Sequence, residues 1–155
     1  MELSNNIIFY LKKHHTAIVS TFDDKGRIHC SIKGIVGIMP EGKVHIIDVY
    51  KLNTYKNLLK NPEISVTMFN EKNFTGYTLQ GKAKIVPRND INDHLILEWE
   101  ERVTKRIATR VIESVQTETE SNKHYEAELP KKPQYLIEVD IDNIVDLSPP
   151  HMRRK

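Results

Sequence analysis

Alternation of apolar and polar residues along much of the chain predicts short β-strands connected by turns. The first predicted strand covers 17–22 and ends at Asp23-Asp24-Lys25-Gly26, a turn in which Gly26 can adopt a positive φ. The chain then returns as a second strand over 27–38. Strands so closely spaced favour an antiparallel barrel or meander over a parallel sheet. The remaining strands are predicted over 43–49, 64–69, 76–86 and from 135 to 147.

Three segments instead repeat their apolar residues with the spacing of an amphipathic helix. Residues 4–13 form the first, with Ser4 as a plausible N-cap, and 53–60 the second, which ends before Pro62. The third covers 91–115 and is about 38 Å long at 1.5 Å per residue. This length is large for one small barrel, so we expect part of the helix to contact a second subunit. Residues 116–133 are predicted to be a loop and 151–155 a disordered basic tail, within one domain over 1–155.

The second strand is predicted to have one apolar and one polar face. Ile28, Cys30 and Ile32 alternate with a polar set that comprises His29, Ser31 and Lys33. The alternation predicts that the isoleucines point into the core and that Cys30 is a small core residue.

Composition and charge exclude several classes of protein. The chain has 155 residues, a formal net charge of +2 and one cysteine. A single cysteine excludes an intrachain disulfide and a cysteine-built zinc site, and no metal site is predicted. The near-zero charge argues against nucleic-acid binding, and the chain lacks an apolar run long enough to span a membrane. We therefore expect a cytoplasmic protein with neither nucleic acid nor membrane as a partner.

The junction of the third strand and the second helix is the most informative candidate site. A helix start presents free N–H groups that favour an anion, and Asn53 and Thr54 add side-chain donors. Lys51 and Lys56 add positive charge, and Lys33 can approach from the neighbouring strand. A phosphate suits this arrangement. The alternative is that Asn53 caps the helix and the lysines are solvated.

Longer stretches of sequence then suggest a family. The segments TAIVSTFDDKGRIHCSIKG, DVYKLNTYKNLLKNPEISVTMF and GYTLQGKAKIV occur in this order, and YLIEVDIDNIVDLSP follows near the end. Their order and spacing resemble those of the FMN-binding split barrels related to pyridoxamine 5'-phosphate oxidase. The resemblance implies a mainly β (α+β) fold, a split antiparallel six-stranded β-barrel with flanking helices. It also implies a homodimer with FMN at the subunit interface.

The resemblance also assigns residues to the cofactor site. Lys33 matches a basic position that touches the phosphate tail, and 53–55 match a triplet that is often Lys-Thr-Tyr or Ser-Arg-Lys in relatives. Two positions depart from the pattern, because Asp48 stands where oxidase-type members often have Thr and Asn53 replaces a lysine. Backbone groups of the second strand can follow the flavin ring, with Gly34 permitting a close approach. The cofactor-binding set is Ser31, Ile32, Lys33, Gly34, Asp48, Lys51, Asn53, Thr54, Tyr55 and Lys56.

The expected activity is an FMN-dependent oxidoreductase reaction on an unidentified small molecule. No catalytic residue is assigned, because a flavin itself carries the electrons. The substrate-binding Arg and His set of the oxidase has no match near the C-terminus, which argues against that particular enzyme. Two alternatives stay open: a non-catalytic cofactor-binding or sensing barrel, favoured by Asp48 and Asn53, and a barrel that holds a deazaflavin or haem.

Overall fold

Six antiparallel strands close into a barrel in the computed structural model, which describes residues 1–117 and 132–153. Their spatial order is β1-β2-β3-β6-β5-β4, and β4 pairs with β1 to close the ring. The predicted antiparallel barrel is therefore confirmed. The strands are β1 Thr16–Phe22, β2 Ile28–Met39, β3 Lys43–Asp48, β4 Glu63–Asn70, β5 Thr75–Pro87 and β6 Tyr135–Asp146.

Three α-helices of the described residues flank the barrel: α1 Asn5–Lys13, α2 Asn53–Lys60 and α3 Asp93–Thr117. Ser4 is the N-cap of α1 as predicted, and its hydroxyl accepts a hydrogen bond from the Ile7 N–H at 3.4 Å. The N-cap of α2 is Leu52, without a side-chain cap, so the alternative that Asn53 caps this helix is wrong.

The ends of the chain differ in part from the prediction. The long helix begins and ends two residues later than expected, and most of the predicted loop, 118–131, lies outside the described residues, as do 154 and 155. Pro150–Met152 form a short 3-10 turn, and the Arg153 Nε donates to the Ser148 carbonyl at 2.8 Å. The described part of the tail is therefore structured rather than disordered.

Apolar side chains form two cores on opposite sides of the sheet. Leu79, Val66 and Ile137 are fully buried inside the barrel, and Leu11 of α1 is buried in the same core. The second core lies between the first half of α3 and the outside of the sheet, and its buried members are Val36, Ile47, Ile91, Leu95, Trp99 and Leu136. Trp99 thus joins α3 to the barrel.

The first half of β2 has the opposite orientation to the one predicted. Ile28 and Ile32 are 70% and 74% exposed, and Cys30 is exposed as well. The pairing of β1 with β2 is the physical reason. Ala17 and Val19 of β1 point into the barrel, and their partners across the ladder are Lys33 and Ser31. Because paired residues share a face, the polar side of β2 faces inward and its isoleucines face outward.

Candidate functional site

One edge of β2 is not paired with another strand along its first half. β1 pairs with residues 28–34, whereas β3 pairs with β2 only from Gly34 onward. The Ile35 N–H donates to the His15 carbonyl at 2.8 Å, which sets the alternation of hydrogen bonds between β1 and β2. By that alternation, the backbone groups of Cys30 and Ile32 point away from β1. Within the described residues, no strand pairs with them there, so a local split opens between the first half of β2 and β3 although the barrel is closed farther along.

Helix α2 begins beside this split. Ser31 Oγ and Thr54 Oγ1 lie 3.0 Å apart, and the Asn57 Nδ2 donates to Thr21 Oγ1 at 3.0 Å. These bonds connect α2 to the inward faces of β1 and β2. Thr54 and Asn57 are buried, and polar inward residues are stable here because each has a hydrogen-bond partner.

A buried ionic cluster lies at the end of β3. The Lys33 Nζ is 2.6 Å from Asp48 Oδ2, and the side chains are only 10% and 8% exposed. Tyr135 donates to the same oxygen at 2.6 Å, while the Val49 N–H donates to Oδ1 at 2.9 Å and the Tyr50 N–H at 3.4 Å. Burial, and then the hydrogen bond to Asp48, raise the pKa of Tyr135. The carboxylate of Asp48 therefore has donors at both oxygens, and its charge balances that of Lys33.

The structure divides nine of the ten predicted cofactor residues into two groups, and the tenth, Gly34, lies at the end of the unpaired edge of β2. Ser31, Lys33 and Asp48 lie together with Thr54 and Tyr55 of α2, and the Tyr55 and Tyr135 ring centroids are 4.9 Å apart. The exposed members lie outside this cluster; they are Ile32, Lys51, Asn53 and Lys56, with the Lys51 Nζ 5.2 Å from the centre of the Tyr55 ring.

Two parts of this site fit a flavin. The unpaired edge at Cys30 and Ile32 offers the fixed backbone donors and acceptors that a flavin ring requires. Asn53 and Lys56 line a cavity of about 590 Å³ that runs along α2 to Lys60 and also has Asp23, Asp24 and Arg27 in its wall. At its Asn53 end, the start of the helix can bind a phosphate. Lys33 fits less well than the sequence suggests, because its charge is already paired with Asp48.

A second cavity, of about 620 Å³, lies between β2 and α3, and the sequence did not predict it. Arg102, Arg106 and Arg110 lie four residues apart on α3, so they share one face, and Lys105 lies beside them. Arg106 lies over Gly34, where a methyl group would be 3.9 Å from its guanidinium. The spacing of the arginines was visible in the sequence, but their approach to Gly34 was not.

Basic side chains outnumber acidic ones in this cavity, which is lined by Arg102, Lys105, Arg106 and Arg110 and by Glu98 and Glu101. Burial, followed by the charges of Arg110 and Arg102, lowers the pKa of Arg106, and burial together with Arg102 lowers that of His15. Arg102 is 2.7 Å from Glu98, whereas Arg106 has no carboxylate within ion-pair distance in the described ranges 1–117 and 132–153. An anionic group bound here would relieve the repulsion among these cations.

Among the described residues, no cluster of three or more His, Cys, Asp or Glu is arranged to hold a metal ion. No helix within the same residues has the length and the apolar character needed to cross a membrane.

Comparisons with known proteins agree on the fold. A family model described as pyridoxamine 5'-phosphate oxidase matches residues 6–143. No curated protein matches the chain significantly. Among solved structures, HupZ of Group A Streptococcus is similar, with a TM-score of 0.62 and 15% identity over 94% of this chain and 95% of that one.

Two other solved structures carry names related to the same family. A pyridoxamine 5'-phosphate oxidase-related, FMN binding protein of Nostoc punctiforme has a TM-score of 0.58 and 13% identity, over 96% of this chain and 87% of that one. A protein of Clostridium acetobutylicum related to general stress protein 26 has a TM-score of 0.56 and 11% identity, over 92% of both chains. At these identities the similarity shows the fold.

Proposed function

The chain belongs to the pyridoxamine 5'-phosphate oxidase family, and from that premise we propose that it is an FMN-binding flavoprotein and an oxidoreductase that acts on a small molecule. The observation that carries the proposal is the unpaired edge of β2 at Cys30 and Ile32. It leaves backbone donors and acceptors in fixed positions beside the start of α2. The FMN binding protein of Nostoc punctiforme, which has the same fold, supports the choice of cofactor.

In this proposal the residues of the chain bind and orient the cofactor. The backbone at Cys30 and Ile32 binds the edge of the ring, while Asn53 and Lys56 at the start of α2 bind the phosphate. Lys51 adds positive charge nearby. When bound, FMN supplies the capacity to accept and donate electrons, so the protein needs no acid or base of its own for electron transfer.

The proposed assembly is a homodimer with the cofactor at its interface. Four large apolar side chains are exposed on the outside of β1, β2 and β4, and we call them the outer apolar face: Phe22, Ile28, Ile32 and Phe69. Exposed apolar residues grouped on one sheet surface are typical of a contact with another protein. Because Ile32 belongs both to this face and to the unpaired edge, a second copy on the face would border the cofactor.

The proposed substrate is an anionic small molecule in the cavity between β2 and α3. Arg106 and Lys105 line this cavity together with Gly34 and Trp99. Gly34 also marks the end of the unpaired edge of β2, so the cavity begins where the proposed flavin ring ends. A phosphate or carboxylate on the substrate would be bound by Arg106 and Lys105 of α3.

Absorption spectroscopy of the purified protein tests the flavin proposal. We expect a yellow protein, or, if it is isolated without cofactor, binding of added FMN and a higher melting temperature, because a ligand that binds only the native state stabilises it. A colourless protein whose melting temperature is unchanged by FMN would contradict the proposal. A Soret band would instead favour haem.

A non-catalytic flavin-binding or sensing barrel is the second candidate. The balanced charges of Lys33 and Asp48 favour it, since they leave less positive charge for the phosphate. Turnover distinguishes the two candidates: an oxidoreductase passes electrons from a reductant to an acceptor repeatedly, whereas a sensor binds the cofactor without turnover.

Replacing Arg106 by glutamine tests the anion cavity. We expect inorganic pyrophosphate to bind the wild-type protein and the Arg106→Gln variant to bind it roughly ten- to hundredfold more weakly, because a hydrogen bond to a charged group contributes about 1.5–3 kcal/mol. Isothermal titration calorimetry measures both affinities. Arg88→Gln, at an exposed arginine outside the cavity, is the matched control and should bind like the wild type. Equal affinities in all three proteins would place the anion elsewhere.

A further inference from the structure

We propose that Asp48 sets the flavin selectivity of the site, because its pairing with Lys33 withholds that lysine from the phosphate of the cofactor. The protein would then bind FMN and the uncharged flavin, riboflavin, with affinities within about tenfold of each other, or about 1.4 kcal/mol. Asp48 acts through Lys33 and is a positioning residue. The inference rests on the proposed flavin binding and specifies how the phosphate is recognised.

Asp48 neutralises the charge of Lys33 within the ionic cluster. The Lys33 Nζ lies 2.6 Å from Asp48 Oδ2, and both side chains are almost completely buried. Tyr135 and the N–H groups of Val49 and Tyr50 also donate to this carboxylate, which holds it in place. A phosphate that approaches Lys33 therefore meets a pair with no net charge, whose attraction for an anion is much weaker than that of a lysine alone.

Lys33 lies close to the start of α2. Lys33 and Ser31 lie two residues apart on the inward side of β2, and Ser31 Oγ is 3.0 Å from Thr54 Oγ1 in the first turn of α2. Lys33 is thus located under the helix start to which the phosphate is assigned. Released from Asp48, it would add a buried positive charge on the interior side of that site.

The other cations near the proposed phosphate site are exposed to solvent. Lys51, Lys56 and Lys60 are exposed, and the exposed Arg27 is paired with Asp23 at 2.9 Å. Charges in contact with solvent are screened over about 8 Å at physiological ionic strength. Their contribution to phosphate binding is therefore small and decreases with salt. We expect the preference of the wild-type protein for FMN over riboflavin to decrease in the same way.

The experiment measures the affinities of FMN and riboflavin by fluorescence titration, for the wild-type protein and for variants of the ionic cluster. In Asp48→Asn, the amide oxygen can still accept from Tyr135 but no longer neutralises Lys33, and we expect the ratio of FMN to riboflavin affinity to rise at least about tenfold. The double variant Asp48→Asn/Lys33→Gln should lose this gain. Asp140→Asn, which removes an exposed carboxylate beside Lys43, is the matched control and should keep the wild-type ratio.

The ratio separates selectivity from stability, because a general loss of structure weakens both flavins alike. An unchanged ratio in Asp48→Asn, with both flavins bound, would overturn the inference and leave the proposed function intact. If Asp48→Asn does not fold, the Lys33→Gln variant tests the inference instead. An unchanged ratio of FMN to riboflavin affinity in Lys33→Gln supports the inference. A lower ratio overturns it, since Lys33 would then already contact the phosphate in the wild-type protein. A wild-type protein that binds neither flavin would overturn the proposed function and this inference together.

Discussion

Replacement of Asp48 by alanine is expected to destabilise the protein by about 3–5 kcal/mol, because it leaves the buried ammonium of Lys33 without its counter-charge. Tyr135 loses its buried acceptor in the same variant, and the N–H groups of Val49 and Tyr50 lose theirs. For a domain of this size the loss corresponds to a decrease in melting temperature of roughly 6–20 °C. Thermal and urea denaturation followed by circular dichroism measure it.

Two further variants show whether the effect belongs to the buried pair. Asp140→Ala also removes a carboxylate beside a lysine, but Asp140 is exposed and lies 3.3 Å from Lys43, so we expect a change within about 0.5 kcal/mol. Lys33→Met should cost less than Asp48→Ala, since Asp48 keeps its other three donors. An Asp48→Ala variant as stable as Asp140→Ala would show that the pair contributes nothing.

Replacement of Ile32 by glutamate is expected to convert the proposed dimer into monomers. Ile32 is 74% exposed in the single chain, so the variant should fold with little loss of stability. In a dimer formed through the outer apolar face, however, the carboxylate would be buried without a partner. We expect the dimer to dissociate at least about a hundredfold more readily, a change of roughly 3 kcal/mol. Analytical ultracentrifugation measures the equilibrium.

Flavin binding should decrease in the same variant, because the proposed cofactor site lies between the two copies. Phe9→Glu is the control, since Phe9 is 72% exposed on α1 and does not belong to the outer apolar face. It should leave both the dimer and flavin affinity unchanged. A wild-type protein that is monomeric at high concentration, or an Ile32→Glu variant that remains dimeric, would contradict this interface.

The candidate site was predictable from the sequence only in part. Helix α2 covers 53–60 as expected, because its bounds depend on nearby residues, such as Pro62 just beyond its end. The pairing of Lys33 with Asp48 was not predictable, although both residues belonged to the expected cofactor set. Tyr135, which completes the cluster, lies 87 residues from Asp48 in sequence, and no local pattern connects them.

The sequence alone determined the elements of this protein, their antiparallel arrangement and the family, because alternation, turn residues and motif spacing are properties of short segments. Only the tertiary structure decided which face of β2 points inward. Isoleucines alternate with polar residues there, so local hydrophobicity favours the wrong face, and the pairing with β1 together with the cover of α2 selects the other. The same long-range packing exposes Ile28 and Ile32, buries Lys33 against Asp48 and brings Arg106 over Gly34.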